Sequence, residues 1–258
     1  MEDLETTFVY YLLILFSQLI LKMDFETRPE TTDQKVIVEV ITKNSYERKK
    51  DKFFLKDAPI WLDLGGNIGT FTCQALHKGA QKVITFEPEQ ENFELLLKNV
   101  SKNNFTSNVI PVQAGVVAKQ GINELELYVC KGDYNKYRHT IFKIRGRQSV
   151  SIPVKNFKEV LDEYKPNGVK IDIEGAEIEI LESMKPSDWP DHVSHLVFEY
   201  SFDIDPSIQR FKNIIDNLKE HFGYVHHRKM NWDQEKYTYY PPATLVFASM
   251  MDRTNPGN

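Results

Sequence analysis

Cysteine is scarce in this 258-residue chain, which contains only Cys73 and Cys130. Two cysteines so far apart do not form the paired Cys spacing of zinc sites, and they allow at most one disulfide. Disulfide-dependent secreted domains of similar size use many more cysteines. We therefore expect a reducing, cytoplasmic location.

Positive charge is not in excess either. The 32 Lys and Arg residues are outnumbered by 37 Asp and Glu residues, which gives a net charge of −5. Proteins that bind nucleic acid broadly present a basic face, so this balance gives no strong nucleic-acid signal. With 41% hydrophobic and 12% aromatic residues, the composition suits one sizeable domain with a full core.

Long apolar runs are limited to residues 8–21, a stretch broken by Ser17 and Gln18 and preceded by acidic residues. A membrane-spanning helix needs about 20 apolar residues, and a secretory signal needs a basic start. Three interpretations stay open: a helix packed on the domain or a partner, a membrane-surface anchor, and an upstream extension with the functional start at Met23. We predict an N-terminal helix and linker over 1–32, one domain over 33–252 and a tail over 253–258.

Two phosphate-binding signatures are missing from the stretch around which the chain is organised. Residues 60–71 read IWLDLGGNIGTF, which predicts a strand, a glycine turn and a helix. Asn67 and Thr70 stand where a dinucleotide fingerprint needs its second and third glycines, and no Lys-Ser/Thr pair of a P-loop follows. Since Gly65 and Gly66 lack Cβ atoms, a ligand can lie against this turn. We expect a small ligand that is not bound through phosphate.

Acidic residues end the two strands that this pattern predicts. Asp63 precedes the glycine turn and suits a ligand with a cationic end, such as the amino group of S-adenosylmethionine. Glu87 ends the next apolar run and can accept hydrogen bonds from both hydroxyls of a ribose. The alternative is that both acids only cap helices or stabilise turns.

Four segments together resemble the FkbM family of S-adenosylmethionine-dependent methyltransferases, over a region from about Trp61 to Phe247. They are DLGGNIG at 63–69, FEP at 86–88, KIDIEGAE at 170–177 and FE at 198–199. The resemblance implies a Rossmann-like α/β fold with a seven-stranded sheet in the order 3-2-1-4-5-7-6 and helices on both faces. It also implies O-methylation, often of sugars or other hydroxylated small molecules.

The site for the methyl donor, S-adenosylmethionine, is predicted from these segments. By its position in the fold, Ala114 should lie near the adenine ring. The predicted donor-binding residues are Asp63, Gly65, Gly66, Asn67, Gly69, Glu87, Pro88 and Ala114.

The predicted catalytic residues begin with Asp172 and Glu174. If Val169–Glu174 is a strand, two acids two residues apart point the same way. They could orient an acceptor hydroxyl or bind a divalent cation that lowers its pKa, and the sequence does not separate these roles. Glu199 ends another strand and is expected to face the acceptor or a metal. Glu177 is expected to cap the following helix or to form a salt bridge.

His139 lies in a polar insertion at 131–148 that is rich in Tyr and Arg, a composition that suits a sugar surface. Its imidazole could serve as a general base for a hydroxyl, or it could be an exposed loop histidine. The aromatic segment at 231–242 is predicted to be a lid or contact surface. Further strands are predicted at 36–41, 125–129 and 150–154.

The acceptor predicted from the resemblance is a hydroxylated small molecule or glycan. Competing hypotheses are methylation of another small molecule, a nucleic acid or a protein, and a non-catalytic module that keeps the donor site for interaction.

Overall fold

A computed structural model of the protein describes residues 23–130, 139–141, 143, 147–202, 204–227 and 243–250. The apolar run at 8–21, most of the insertion at 131–148 and the aromatic segment at 231–242 lie outside the described residues. Within the described ranges, no helix combines the length and the apolar character needed to cross a membrane. The predictions for those three segments therefore stay predictions.

The described residues form strands and helices that largely alternate along the chain. The strands are β1 (Ile60–Leu64), β2 (Lys82–Phe86), β3 (Val109–Val112), β4 (Gly115–Val117), β5 (Glu124–Val129), β6 (Gln148–Asn156), β7 (Gly168–Ile171), β8 (His195–Tyr200), β9 (Gly223–His227) and β10 (Thr244–Met250). The α-helices are α1 (Asp33–Ile37), α2 (Thr70–Lys78), α3 (Gln90–Lys102), α4 (Phe157–Tyr164), α5 (Ala176–Ser183) and α6 (Ile208–Phe222). Short 3-10 helices occupy Lys49–Asp51, Leu55–Asp57, Thr106–Asn108 and Pro186–Asp188.

The main sheet has seven strands in the order β3-β2-β1-β7-β8-β10-β9. Its strands pair in parallel except β10, which is antiparallel to both β8 and β9. Because β4, β5 and β6 belong to a second sheet, this order is the predicted 3-2-1-4-5-7-6, and that prediction is confirmed.

The register of the main sheet brings four strand ends to one level. Leu64 of β1 lies opposite Phe86 of β2 and Ile171 of β7, and Ile171 lies opposite Phe198 of β8. The next residue along each strand is Gly65, Glu87, Asp172 or Glu199. Chain order reverses between β1 and β7, and such switch points are where α/β sheets of this kind bind ligands.

Two apolar cores cover the two faces of the sheet. Trp61 and Val83 belong to one core, whereas their neighbours Leu62 and Ile84 belong to the other. Successive side chains of a strand point to opposite faces, so these strands are buried on both sides. Helices on both faces therefore fix the strand ends as a rigid edge.

The strand predicted at 36–41 is wrong, because this segment is helical. Helix α1 runs into a π-helical stretch over Val38–Thr42, and Ile37, Val40 and Ile41 are buried. Gln74 of α2 donates its side-chain Nε2–H to the carbonyl of Val40, 2.6 Å away. β-branched residues favour strands only where a pleated neighbour exists, and here packing on α2 outweighs that preference. The segment becomes a helical wall beside the strand ends.

The predicted strand pair at 125–129 and 150–154 is confirmed. It forms the antiparallel pair of β5 and β6 in the second sheet, where β4 runs parallel to β6. These strands share a small apolar core that includes Val117, Leu127 and Ile152.

Residues 24–32, predicted as a linker, pack along α3. Phe25 is buried, and the backbone N–H of Glu26 donates to Oδ1 of Asn99, 2.6 Å away.

Candidate functional site

A cavity of about 420 Å³ opens at the carboxyl edge of the parallel strands. The predicted site residues that line it are Gly65, Gly66, Asn67, Glu87, Pro88, Ala114, His139, Asp172, Glu174 and Glu199. Asp63 and Gly69, which were predicted to bind the donor, are not among the lining residues. The sheet thus brings most of the predicted residues to one cavity and leaves these two outside its lining.

Two positions of the glycine turn, Gly65 and Gly66, leave no room for a side chain. Gly65 has a φ of +84°, and a Cβ there would lie 1.9 Å from the carbonyl oxygen of Asp172. A Cβ on Gly66 would lie 2.3 Å from the hydroxyl oxygen of Thr85. The backbone N–H groups of both glycines donate to the carbonyl of Phe86 at 3.0 and 2.9 Å. The turn is therefore wedged between β2 and β7, with its outer surface facing the cavity.

Gly69 supports this turn from behind. It precedes α2 with a φ of +85°, and a Cβ there would lie 3.3 Å from Leu96 of α3. The structure thus shows a packing role between helices for Gly69, and its predicted contact with the donor stays a prediction.

Asp63 does not line the cavity and is fully buried beneath it. Its Oδ2 accepts a hydrogen bond from the Thr72 hydroxyl at 2.7 Å, and its Oδ1 lies 3.1 Å from the Lys170 ammonium. Asp63 and Lys170 are register partners on β1 and β7. The cation that Asp63 meets in this structure is thus a side chain of the protein, and its predicted role in binding the amino group of the ligand stays a prediction.

Lys170 also lines the cavity, and the sequence patterns did not single it out. Its ammonium donates to the carbonyl of Gly65 at 2.7 Å and lies 4.0 Å from Oδ2 of Asp172. Burial alone would lower the pKa of Lys170, but the neighbouring carboxylates of Asp63 and Asp172 outweigh it and raise this pKa. A lysine inside an otherwise apolar strand was the available signal. The buried ammonium ties the glycine turn to the acid that follows β7.

Glu87 points into the cavity at the end of β2 and is anchored by backbone groups. Its Oε2 accepts from the N–H of Asn67 at 2.7 Å, and its Oε1 accepts from the N–H of Glu89 at 3.0 Å. Burial raises the pKa of Glu87 to about 7, although these hydrogen bonds oppose the rise. A carboxylate oxygen has two lone pairs, so Glu87 can accept additional hydrogen bonds from ligand hydroxyls.

Asp172 and Glu174 both line the cavity, but not by strand alternation. Strand β7 ends at Ile171, and Glu174 adopts a left-handed φ of +55°. The predicted strand to Glu174 was therefore three residues too long, since a turn replaces its end. The Oδ2 of Asp172 accepts a hydrogen bond from the hydroxyl of Tyr46 at 2.8 Å.

Glu199 lies at the corresponding level of β8. Burial and the nearby charges of Asp172 and Glu174 raise the pKa of its carboxyl to about 9. This carboxyl carries a proton at neutral pH and can donate a hydrogen bond into the cavity. A strongly perturbed acid in a cleft is typical of catalytic sites.

Glu177 has a structural role, as its predicted capping function indicates. It is fully buried at the start of α5, where it accepts from the backbone N–H of Gly175 at 2.7 Å and from the hydroxyl of Ser201 at 2.9 Å.

His139 lines the cavity with one ring nitrogen already engaged. Its Nδ1 accepts a hydrogen bond from the backbone N–H of Cys130 at 3.2 Å. In the neutral ring the other nitrogen then carries the proton, which leaves no lone pair for the proton of a hydroxyl. The role of His139 as a general base stays a prediction.

The part of the cavity that is lined by the second sheet is apolar. Ala114 and Val116 lie beside Leu127, Ile152 and Val154, which form an apolar surface. The cavity therefore combines an apolar part suited to an aromatic ring with an acidic part at the ends of β7 and β8. Among the described residues, no group of three or more His, Cys, Asp or Glu side chains is arranged to hold a metal ion.

Comparison with known proteins identifies relatives of this chain. The family model described as "Methyltransferase FkbM domain" matches residues 63–225. Methyltransferase sdnD of Sordaria araneosa is 26% identical over 186 residues, covering 60% of this chain and 70% of that protein. Hexuronic acid methyltransferase AglP of Haloferax volcanii is 27% identical over 183 residues, covering 70% of this chain and 69% of that protein.

Among solved structures, precorrin-6y C5,15-methyltransferase from Geobacter metallireducens GS-15 aligns with a TM-score of 0.44 and 14% identity, covering 88% of this chain and 94% of that one.

Proposed function

The chain belongs to the FkbM family of methyltransferases, and from that premise we propose that it transfers a methyl group from S-adenosylmethionine to a hydroxyl oxygen of a sugar or another polyhydroxylated acceptor. The observation that carries the proposal is the common level of Gly65, Glu87, Asp172 and Glu199, which face one cavity. When bound, S-adenosylmethionine supplies an activated methyl group on a positively charged sulfur.

The donor half of the cavity fits this molecule in three respects. The glycine turn packs tightly against Asp172 and Thr85 and lines the cavity with residues that have no side chain, so a ligand can lie against the backbone. Glu87 offers acceptor oxygens for a ribose diol, and the apolar part around Ala114 and Ile152 suits an adenine ring. Asp63 and Lys170 hold the turn in shape from beneath.

In the acceptor half, we assign the general base to Asp172. Its carboxylate lines the cavity, and its Oδ2 lies 4.0 Å from the ammonium of Lys170. The acceptor hydroxyl would give its proton to Asp172 as its oxygen takes the methyl group. Protonated Glu199 would donate a hydrogen bond that orients the acceptor, and the correct alignment of both reactants would supply much of the rate.

The polar rim of this half supports a hydroxyl-rich acceptor. This rim is lined by Glu39 and Lys43 from the helical wall and by Glu174 after β7. It therefore offers both hydrogen-bond acceptors and a donor. The relative from Haloferax volcanii is named a hexuronic acid methyltransferase, so a sugar acceptor has a precedent in the family.

The test has two stages. Calorimetric titration with S-adenosylmethionine and with S-adenosylhomocysteine should show binding by the wild type and by Asp172→Asn. Transfer of a labelled methyl group would then be screened against glycans, polyols, phenols, RNA and protein, with Asp172→Asn as the inactive control. Absence of donor binding would refute the methyl-transfer proposal, and labelling confined to RNA or protein would refute the acceptor class.

A further inference from the structure

Tyr46 reaches the proposed catalytic carboxylate from a part of the chain that the family match does not include. Its hydroxyl donates a hydrogen bond to Oδ2 of Asp172, 2.8 Å away and 126 positions along the chain. The match to the family begins at residue 63, whereas Tyr46 lies in the connector between the helical wall and β1. The contact therefore joins an N-terminal segment to the proposed acceptor site.

Several contacts fix the phenol ring in place. Tyr46 is 6% exposed and packs edge-on against Phe71, with 5.1 Å between the ring centroids. The two residues before it are anchored as well. Asn44 accepts from the side chain of Gln74 at 2.8 Å, and the Ser45 hydroxyl donates to the carbonyl of Glu39 at 2.8 Å. Tyr46 thus presents its hydroxyl from a rigid support on α2 and the π-helical stretch.

The backbone of Asp172 is held at the end of β7, because its N–H donates to the carbonyl of Leu64 at 3.1 Å. Its side chain is 30% exposed, so the orientation of the carboxylate depends on side-chain contacts. Within the described part of the chain, Tyr46 and Lys170 both approach Oδ2 of Asp172. That arrangement leaves Oδ1 to accept the hydrogen bond of a hydroxyl in the cavity.

We propose that Tyr46 is a positioning residue that holds Oδ2 of Asp172, so that Oδ1 is correctly oriented toward the acceptor hydroxyl. The inference rests on the proposed function, since it concerns the same base. A phenol that donates to a carboxylate stabilises the ionised form over the protonated one. Removing the phenol hydroxyl should therefore loosen the carboxylate and alter the pH dependence of the reaction that it serves.

Other charged groups also face Tyr46 and Asp172 and contribute to the electrostatic environment of this pair. They are Glu39 from the helical wall, Asp63 from β1, Glu87 from β2, Lys170 from β7, Glu174 and Glu177 around the start of α5, and Glu199 from β8. Most of these are acids, and Lys170 is the cation among them. The phenol of Tyr46 is a neutral donor that holds the carboxylate of Asp172 without adding charge.

Tyr46→Phe is the decisive variant because it keeps the ring that packs on Phe71 and removes only the hydroxyl. We expect roughly a tenfold or greater loss of kcat with donor affinity within about twofold of wild type, as for removal of one charge-assisted hydrogen bond. The acidic limb of the pH–kcat profile should move to higher pH. The matched control is Tyr224→Phe, which removes a phenol–aspartate hydrogen bond to Asp51 (3.2 Å) away from the cavity and should leave the profile unchanged.

A second measurement does not depend on activity. Chemical unfolding of Tyr46→Phe, Asp172→Ala and the double variant forms a double-mutant cycle, in which we expect coupling of roughly tenfold in the unfolding equilibrium constant. Additive effects would overturn the inference by showing that the bond does not form. Coupling together with an unchanged pH profile would reduce Tyr46 to a structural residue and also overturn it.

A failure of the proposed function would give results that differ from those that overturn the role of Tyr46. A wild-type chain that binds S-adenosylmethionine but methylates no hydroxyl acceptor would remove the reaction, and with it the role of Tyr46, whatever the cycle shows. A shifted pH profile in Tyr46→Phe but not in Tyr224→Phe would support both proposals together.

Discussion

Asp63 and Lys170 lie side by side on β1 and β7, with 3.1 Å between Oδ1 and Nζ and both side chains almost completely buried. The pair sits directly under the glycine turn, and the Lys170 ammonium also holds the carbonyl of Gly65. The two strands at the switch point are thus joined by charge as well as by backbone hydrogen bonds. Shape and charge in the cavity both depend on this buried pair.

Removing one partner of the pair should be costly. Asp63→Asn leaves the Lys170 ammonium buried without its closest carboxylate, and we expect a loss of about 3–5 kcal/mol in the free energy of unfolding. Urea unfolding measures it. The control is Glu163→Gln, which breaks the solvent-exposed pair with Lys155 and should cost about 1 kcal/mol or less. Equal effects of the two substitutions would contradict the role given to the buried pair.

Gly65 and Gly121 both have a positive φ, of +84° and +75°. Comparing an alanine substitution at each position therefore separates the effect of a steric clash from that of backbone strain. Gly65→Ala and Gly121→Ala both place a side chain at a positive φ, which costs about 1–2 kcal/mol. A Cβ at Gly65 also meets the Asp172 carbonyl at 1.9 Å, whereas a Cβ at Gly121 meets nothing within 4 Å. We expect donor binding to be lost in Gly65→Ala and kept in Gly121→Ala, as measured by calorimetry. Intact binding in Gly65→Ala would mean that the turn does not cradle the ligand.

Donor affinity should depend on pH through Glu87. The pKa of its carboxyl is raised to about 7, so in the free protein it is largely protonated below neutral pH. Ribose hydroxyls bind better to an ionised carboxylate, so affinity should increase as pH rises from about 6 to 8 and then level off. Calorimetric titrations across this range measure the change. Glu87→Gln should weaken binding and flatten the dependence, and a slope that survives in this variant would assign it to another group.

The alkaline limb of methyl transfer should report on Glu199. Since the pKa of this carboxyl is raised to about 9, it donates a hydrogen bond below that pH and loses its proton as pH rises through it. We expect kcat to fall above about pH 9, and Glu199→Gln, which keeps a neutral donor, to retain most activity without this fall. Asp172→Asn should lose roughly 100-fold or more. Activity that instead rises through pH 9 in the wild type would make Glu199 the base.

Local patterns were sufficient for much of the site. The sequence analysis located the glycine turn, Glu87, Asp172 and Glu199, and all line one cavity. This worked because the carboxyl ends of parallel strands share an edge, so an acid that follows an apolar run can be placed without knowing its neighbours. The order of the main sheet came from the resemblance, which the structure confirms.

These local patterns could not predict contacts between residues that are far apart in the sequence. Asp63 looks like a ligand contact until the register of β1 and β7 places Lys170 beside it, and the run at 36–41 looks like a strand until α2 offers it a surface.

By itself, the sequence determined which residues stand at the strand ends, because short-range periodicity and glycine geometry act within a few positions. Only the tertiary structure decided which charges neutralise one another and that Tyr46 meets Asp172, because those pairs depend on chain topology and packing over more than a hundred residues.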